Sequence, residues 1–137
     1  GLNGNMHNEG LVHWQWLGQY QRGETLCLHN RTRQSGIEVA TAMRVSQVQG
    51  EVIERETWDV ENAPTQMIRF RGLPGEEIFL EKRVAIFSSR DLETAKLVDT
   101  AIGLADEAGS WEAAIQAQRA DLLAWRALSG GSVPACA

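Results

Sequence analysis

The stretch Ile37–Val45 reads IEVATAMRV and decides the fold class. Its side chains alternate in character along the chain. Ile37, Val39, Thr41, Met43 and Val45 form one row, and Glu38, Ala40, Ala42 and Arg44 form the other. Because successive side chains of a β-strand point to opposite faces of the sheet, this alternation predicts a strand with one buried face. The polar segment 30–36 before it predicts a turn.

Further strands are predicted on both sides of this stretch. They cover residues 25–29, 52–58, 66–71 and 77–88. Leu73, Pro74 and Gly75 predict a tight turn, because proline suits the second position and glycine the positive φ of the third. Short strands separated by turns every 8–12 residues or so are typical of an antiparallel β-sandwich. We therefore expect a mainly β protein of that class.

The spacing of apolar residues changes at Asp91. From there to Ala108 they recur every three to four positions, which predicts an amphipathic helix. Gly109 suits the end of that helix, and Ser110 suits the cap of a second one. The second helix carries an apolar stripe of Trp111, Ile115, Leu122 and Trp125. We therefore divide the chain into a β-sandwich segment at residues 1–90, a helical linker at residues 91–128 and a flexible tail at residues 129–137.

The composition is that of a globular protein. Of 137 residues 43% are hydrophobic and 23% are charged, and the net charge is −5. Nucleic-acid-binding domains normally carry a basic face, and a membrane-spanning helix needs about 20 consecutive apolar residues, so we expect neither nucleic acid nor membrane as a partner. The polar N-terminal segment has no secretory signal pattern, and Cys27 and Cys136 form no disulfide framework. These features predict a cytoplasmic protein.

The titratable residues fit structural roles better than catalytic ones. His7, His13 and His29 have no metal-ligand spacing. Glycosidases use two carboxylates across the scissile bond. Such pairs occur here at Glu54/Glu56, Asp59/Glu61 and Glu76/Glu77. An exposed sheet face is their ordinary place, so we predict no catalytic, cofactor-binding or metal-binding residue and no cofactor.

One aromatic cluster is a candidate binding surface. In the run VHWQWLGQY, Trp14 and Trp16 share a face if the segment is extended, and Tyr20 follows them. Aromatic rings can fill a core or an interface. They also bind sugars, because the aliphatic face of a sugar ring packs on a π face while its polar edge hydrogen-bonds. Trp14, Trp16 and Tyr20 are therefore our candidate sugar-contact residues.

The chain carries three runs in a recognisable order. They are RTRQSGIEVA at residues 31–40, LEKRVAIFSSRD at residues 80–91 and LAWRAL at residues 123–128. Together they resemble glycoside hydrolase family 65, which contains maltose, trehalose and kojibiose phosphorylases and related trehalases. The resemblance covers the later part of that family's N-terminal β-sandwich domain and the helical linker behind it.

This resemblance implies a non-catalytic role for the chain. In the family the N-terminal domain is a β-supersandwich, joined by the linker to an (α/α)6 barrel that holds the catalytic residues. The implied parent reaction is inverting cleavage of an α-glucosidic disaccharide by water, or by inorganic phosphate as co-substrate. The parent is then a hydrolase or a phosphorylase, which is a glycosyltransferase. We expect the barrel to be the chain's partner and the chain by itself to be no enzyme.

A second hypothesis belongs to another class of protein. The chain could be a free-standing carbohydrate-binding or oligomerisation β-sandwich module that uses the Trp14/Trp16 face. Strands that pair with the rest of the family's sandwich would then be exposed edges, which favour a homodimer. Sugar titration followed by tryptophan fluorescence separates the two hypotheses.

Overall fold

The computed structural model describes residues 13–129, and its elements confirm the predicted class of antiparallel strands followed by two helices. The strands are β1 (Trp14–Arg22), β2 (Thr25–Thr32), β3 (Glu38–Gln49), β4 (Glu51–Trp58), β5 (Thr65–Arg71) and β6 (Phe79–Ser88). The helices are α1 (Leu97–Glu107), which follows a short 3-10 turn at Thr94–Lys96, and α2 (Trp111–Ser129).

Within residues 13–129 the strands form one four-stranded sheet and one hairpin. The main sheet has the order β1-β2-β3-β6 with every pair antiparallel, and β4 and β5 form a separate antiparallel pair between β3 and β6 in sequence. Arg55 of β4 ties the hairpin to the main sheet. Its Nη1 donates to the Val45 carbonyl at 2.9 Å, and its Nε lies 3.3 Å from a carboxylate oxygen of Glu24. These two contacts join the hairpin to the main sheet.

The turn before β6 has the predicted chemistry. The Glu76 N–H donates to the Leu73 carbonyl at 3.0 Å, and Gly75 has φ 86°. A type II turn needs this positive φ at its third residue, which glycine adopts at no steric cost. Residues 73–75 therefore form the turn that the sequence predicts.

The fully buried core lies on the small-residue face of β3. Its members come from three strands and α1: Cys27, Ala40, Ala42, Ala85, Leu97, Ala101, Ile102 and Ala105, all at most 4% exposed. The row of larger side chains on β3, such as Val39 and Met43, is only partly buried. Small side chains let a helix approach the sheet closely, which explains why α1 covers the alanine face.

Helix α1 begins later than the sequence predicts. The predicted start at Asp91 is wrong, because the Asp91 carboxylate instead accepts from the backbone N–H of Ser88 at 2.8 Å and from its hydroxyl at 2.7 Å. These two bonds stabilise a turn after β6 and hold the pKa of Asp91 below its ordinary value. The helix proper starts at Leu97.

Polar contacts fix the far end of α1 to the sheet. Asp106 accepts from the Thr25 hydroxyl and lies 3.3 Å from Nη1 of Arg44. Arg22 of β1 reaches Asp99 at 2.7 Å. The compact unit that contains the sheet runs through α1 to Asp106, so the first part of the predicted linker packs with the strands.

Helix α2 belongs to the second unit and is amphipathic. Ser110 caps it as predicted, because its Oγ accepts from the Ala113 N–H at 3.3 Å. Three residues of its apolar stripe, Trp111, Leu122 and Trp125, are 55–66% exposed, and the fourth, Ile115, is partly buried. Within residues 13–129, no helix is long and apolar enough to cross a membrane. The predicted tail at residues 129–137 lies, apart from Ser129, outside the described residues.

Candidate functional site

The two tryptophans of the candidate surface lie together on β1, an edge strand of the main sheet. Trp14 pairs with Thr32 and Trp16 pairs with Asn30 across the ladder. Being two residues apart in a regular stretch of strand, they share one face. They are 48% and 40% exposed, so each indole keeps a large open surface.

A β-bulge at Leu17 changes which residues accompany them. The register shifts between Trp16 and Gly18, so Gln19 pairs with Leu28 and Tyr20 pairs with Cys27. Cys27 faces α1, and Tyr20 therefore lies on the helix side of the sheet. The bulge brings Gln19, which the sequence analysis did not single out, to the face of the tryptophans. Strand periodicity cannot show this, because a bulge inverts the alternation without any change in the residue pattern.

Tyr20 leans back along the edge strand over Gly18. A Cβ at position 18 would lie 2.9 Å from the Tyr20 hydroxyl oxygen, so a larger residue there would push the Tyr20 ring aside. On the helix side Tyr20 borders a cavity of about 480 Å³, together with Arg22, His29 and residues of α1. The third predicted sugar-contact residue thus lies mainly in a different environment from Trp14 and Trp16.

Two surface depressions adjoin on the tryptophan side. The larger is about 540 Å³ and is lined by Trp14, Gln15, Trp16, Asn30, Arg33, Glu61 and Asn62. The smaller is about 450 Å³ and is lined by Trp16, Gly18, Gln19, Tyr20, Asp59 and Glu61. Trp16 and Glu61 border both depressions, which therefore form one continuous surface that we call the tryptophan groove.

The loop that follows β4 forms the opposite wall of this groove. Asp59 accepts a hydrogen bond from the Gln19 amide, and the Ala63 N–H donates to the Val60 carbonyl at 2.9 Å. Asn62 adopts a left-handed backbone with φ 61°, a conformation that asparagine tolerates better than most residues. The loop is thereby held with its acidic side chains beside Trp16.

The groove contains buried acceptors without a protein partner. Asn30 Oδ1 and Gln19 Oε1 are both inaccessible and make no hydrogen bond to another described residue. Such groups are rare in folded proteins, and a buried carbonyl oxygen without a partner costs about 1–3 kcal/mol. With the carboxylates of Asp59 and Glu61, they make the groove rich in acceptors next to two aromatic faces. The open part of the groove thus combines carboxylates, which accept hydrogen bonds, with two exposed indole rings.

A second polar cluster lies at the end of β2 and β3. Glu38 has 10% of its side chain exposed and lies 2.5 Å from Arg31 Nη2 and 3.0 Å from His29 Nε2. Ser89 closes the cluster, since its N–H donates to the Glu38 carbonyl at 2.8 Å. The cluster holds a single carboxylate, so it lacks the pair of carboxyl groups that glycoside cleavage uses. We assign it the structural role of joining three strands.

None of the carboxylate pairs considered from the sequence lines a closed cleft in the described residues. Glu54 forms an ion pair with Arg69 on the neighbouring strand at 2.6 Å, while Glu56, Glu76 and Glu77 are exposed. Asp59 and Glu61 border the open groove described above. Inverting hydrolysis needs two carboxyl groups that face each other across the scissile bond. None of these pairs has that arrangement.

Possible metal ligands and thiols are the other candidates for chemistry in the described part of the chain. Residues 13–129 contain no group of three His, Cys, Asp or Glu side chains that could hold a metal ion, and His7 lies outside this range. Burial raises the pKa of the Cys27 thiol to about 11, so the unreactive thiol form dominates at neutral pH. Cys136 lies outside the described residues.

Comparison with known proteins identifies one family. The family model described as glycosyl hydrolase family 65, N-terminal domain, matches residues 1–126. The match covers all six strands, α1 and most of α2. Neither the curated proteins nor the solved structures compared with this chain include a match.

Proposed function

The chain belongs to glycoside hydrolase family 65 as an N-terminal domain, and from this we propose that it is the non-catalytic support of a disaccharide-cleaving enzyme. The parent enzyme cleaves an α-glucosidic disaccharide such as maltose, trehalose or kojibiose with inversion. Water or inorganic phosphate is the attacking group. The reaction takes place in an (α/α)6 barrel outside these 137 residues.

The family match over residues 1–126 is the observation that carries this proposal. The placement of the acids supports it. Inverting cleavage needs a carboxylic acid on one side of the scissile bond and an activated nucleophile on the other. In the described residues Glu54 is held by Arg69, Glu38 is held by Arg31, and Asp59 lies in an open groove.

Helix α2 supports the idea of a protein partner. Leu122, Leu123 and Trp125 are more than half exposed, and contiguous exposed apolar side chains commonly mark interaction surfaces. We propose that the parent's barrel covers this stripe. In that arrangement the domain supports the barrel, and the linker helix α2 makes the contact between them.

Strand β6 supports a second contact. It is an edge strand of the main sheet, and Val84 and Ile86 on one of its faces are 50% and 63% exposed. We propose that the remainder of the family's sandwich covers this face in the parent. The isolated chain then forms a homodimer through β6, and size-exclusion chromatography with light scattering tests this.

We propose that the enzyme is cytoplasmic. The free thiol of Cys27 is compatible with a reducing compartment, where disulfides are rare. Fractionation of the source cells followed by immunoblotting tests this assignment.

Turnover assays test the catalytic part of the proposal. The 137-residue chain and the protein encoded by the full surrounding reading frame are each incubated with maltose, trehalose and kojibiose, with and without phosphate. We expect turnover only by the longer protein. Its first product should have the β configuration, and NMR should show β-glucose for a hydrolase or β-glucose 1-phosphate for a phosphorylase. The phosphate dependence distinguishes a phosphorylase from a hydrolase.

The matched control uses the chain itself. Glu38→Gln and Asp59→Asn remove carboxylates without changing the size of the side chain. The proposal would be contradicted if the purified 137-residue chain cleaved a disaccharide and either variant lost this activity. That result would place a catalytic acid in this domain.

A further inference from the structure

We propose that the tryptophan groove is a carbohydrate-binding subsite for an oligosaccharide of two or more glucose units. Trp14 and Trp16 provide the stacking platform. The exposed carboxylates of Asp59 and Glu61 provide acceptors, and Asn30 provides a further one when its amide rotates. The subsite is non-catalytic and holds the sugar chain on the support domain, away from the reacting bond.

The platform has the geometry of two consecutive binding positions. Trp14 and Trp16 are in register with Thr32 and Asn30, so this part of β1 is regular. Side chains two residues apart on a strand are separated by about 6.6–6.8 Å along it. Two indole faces at that spacing can each accept one ring of a linear chain. Because β1 is an edge strand, a chain longer than two sugars can extend past either ring.

The polar atoms of the groove select a ligand rich in hydroxyl donors. Asn30 Oδ1 has no hydrogen-bond donor among the described residues, and the neighbouring carboxylates of Asp59 and Glu61 can only accept. The terminal torsion of Asn is broad, so a small rotation turns the Asn30 oxygen toward the groove. Sugar hydroxyls supply donors at the ring edge while the ring's C–H face packs on an indole.

The charges of the groove argue against other ligands with apolar faces. Asp59 and Glu61 repel phosphate groups, which disfavours nucleotides and nucleic acid. A basic peptide could place a cation over an indole beside these carboxylates. However, Arg33 lines the same depression and repels such a peptide, while its N–H groups can donate to sugar oxygens. A neutral polyol satisfies both the acidic and the basic side of the groove.

The choice of glucose units rests on the proposed function of the parent enzyme. The donor requirement and the stacking platform do not depend on it. Binding of another neutral oligosaccharide, with none of maltotriose, would overturn the glucose assignment and leave the parent's reaction to be decided by the turnover assays.

Titration of the full chain with maltotriose tests the subsite. We expect saturable heat in calorimetry and a change in tryptophan fluorescence at millimolar sugar. Trp14→Ala and Trp16→Ala should each weaken binding by about tenfold or more, as truncation of a central aromatic contact usually does. Asn30→Ala should weaken it by about threefold to tenfold.

The controls separate stacking from loss of fold. Trp111→Ala removes an exposed tryptophan from α2, outside the groove, and should leave the affinity unchanged. Trp14→Phe keeps an aromatic face and should retain most of the binding. Circular dichroism checks that each variant is folded.

Three outcomes would overturn the subsite. They are no binding of any neutral oligosaccharide at millimolar concentration, unchanged binding in the Trp14→Ala/Trp16→Ala double variant, and binding of a lysine-rich peptide that is abolished by added salt while maltotriose does not bind. The last result would identify a cation site in place of a sugar site.

Discussion

The two helices differ in what happens to their apolar residues. In α1, Leu97, Ala101, Ile102 and Ala105 are at most 2% exposed. In α2, the larger side chains Trp111, Leu122, Leu123, Trp125 and Leu128 are 55–88% exposed. Both helices are amphipathic, so the apolar spacing explains why each is a helix. It does not by itself tell whether an apolar face is covered.

The side chains of the two faces suggest the reason for the difference. Ala101 and Ala105 of α1 pack on Ala40, Ala42 and Ala85 of the sheet, and such small residues allow close approach. The Asp106 contacts with Thr25 and Arg44 then fix the helix in place. The face of α2 is built of large Trp and Leu side chains, and a contiguous exposed apolar patch of this kind commonly marks an interaction surface.

The largest expected effect concerns a core leucine of α1. Leu97→Ala should lower the free energy of unfolding by about 2–5 kcal/mol, since it removes a fully buried side chain and leaves a cavity. Urea denaturation followed by circular dichroism measures the change. Leu123→Ala on α2 is the matched control and should cost less than about 1 kcal/mol, because Leu123 is 63% exposed. Equal losses in the two variants would show that the two faces are equally covered.

A second prediction uses pH to probe the face under α1. Cys27 is fully buried, and burial raises the pKa of its thiol from the ordinary value of 9.0 to about 11. Below pH 9.0 the thiol is protonated in both states and its contribution to stability is complete. As the pH rises to about 11 the unfolded thiol ionises first, so stability should fall by about 2–3 kcal/mol.

The comparison with a thiol-free variant isolates this effect from other groups that titrate at high pH. Cys27→Ala should lose less stability than the parent chain between pH 8 and pH 11, as measured by urea denaturation at each pH. Parallel pH profiles of the two proteins would mean that the thiol is not shielded by α1 in solution.

The smallest effect concerns the start of α2. Ser110→Ala removes the side chain that accepts from the Ala113 N–H, and loss of such a cap costs about 1 kcal/mol. Ser110→Asn should restore most of the loss, because asparagine caps equally well. Thermal melting followed at a helix-sensitive wavelength measures both variants. An alanine variant with unchanged melting would show that the N-terminal turn of α2 is stabilised by other contacts.

The pKa of Glu112 adds a pH check at the same place. Its own backbone N–H and the Ser110 side chain hold this pKa below the ordinary value of 4.5. The contribution of the carboxylate is therefore present above pH 4.5 and is lost as the pH falls through the lowered value. The difference in melting temperature between the wild-type chain and Glu112→Gln should disappear in acid.

The position of the two tryptophans in the candidate site could be predicted from the sequence, but the polar residues beside them could not. Trp14 and Trp16 were placed on one face by strand periodicity alone. Strand periodicity does not single out Gln19, and it places Tyr20 on the face of the tryptophans, because it does not show the bulge at Leu17 that inverts the alternation after Trp16. The acceptor role of Asn30 depends on its cross-strand position opposite Trp16, which requires the register of β1 and β2.

The sequence by itself determined the class of fold, since alternation gives strands, three-to-four spacing gives helices, and Pro74 with Gly75 gives a tight turn. These are local properties of the backbone and of neighbouring side chains. Only the tertiary structure decided which face of β3 forms the core and which polar atoms border the tryptophans. Those outcomes depend on close packing and on strand register between residues distant in sequence, and a pattern read along one chain does not contain that information.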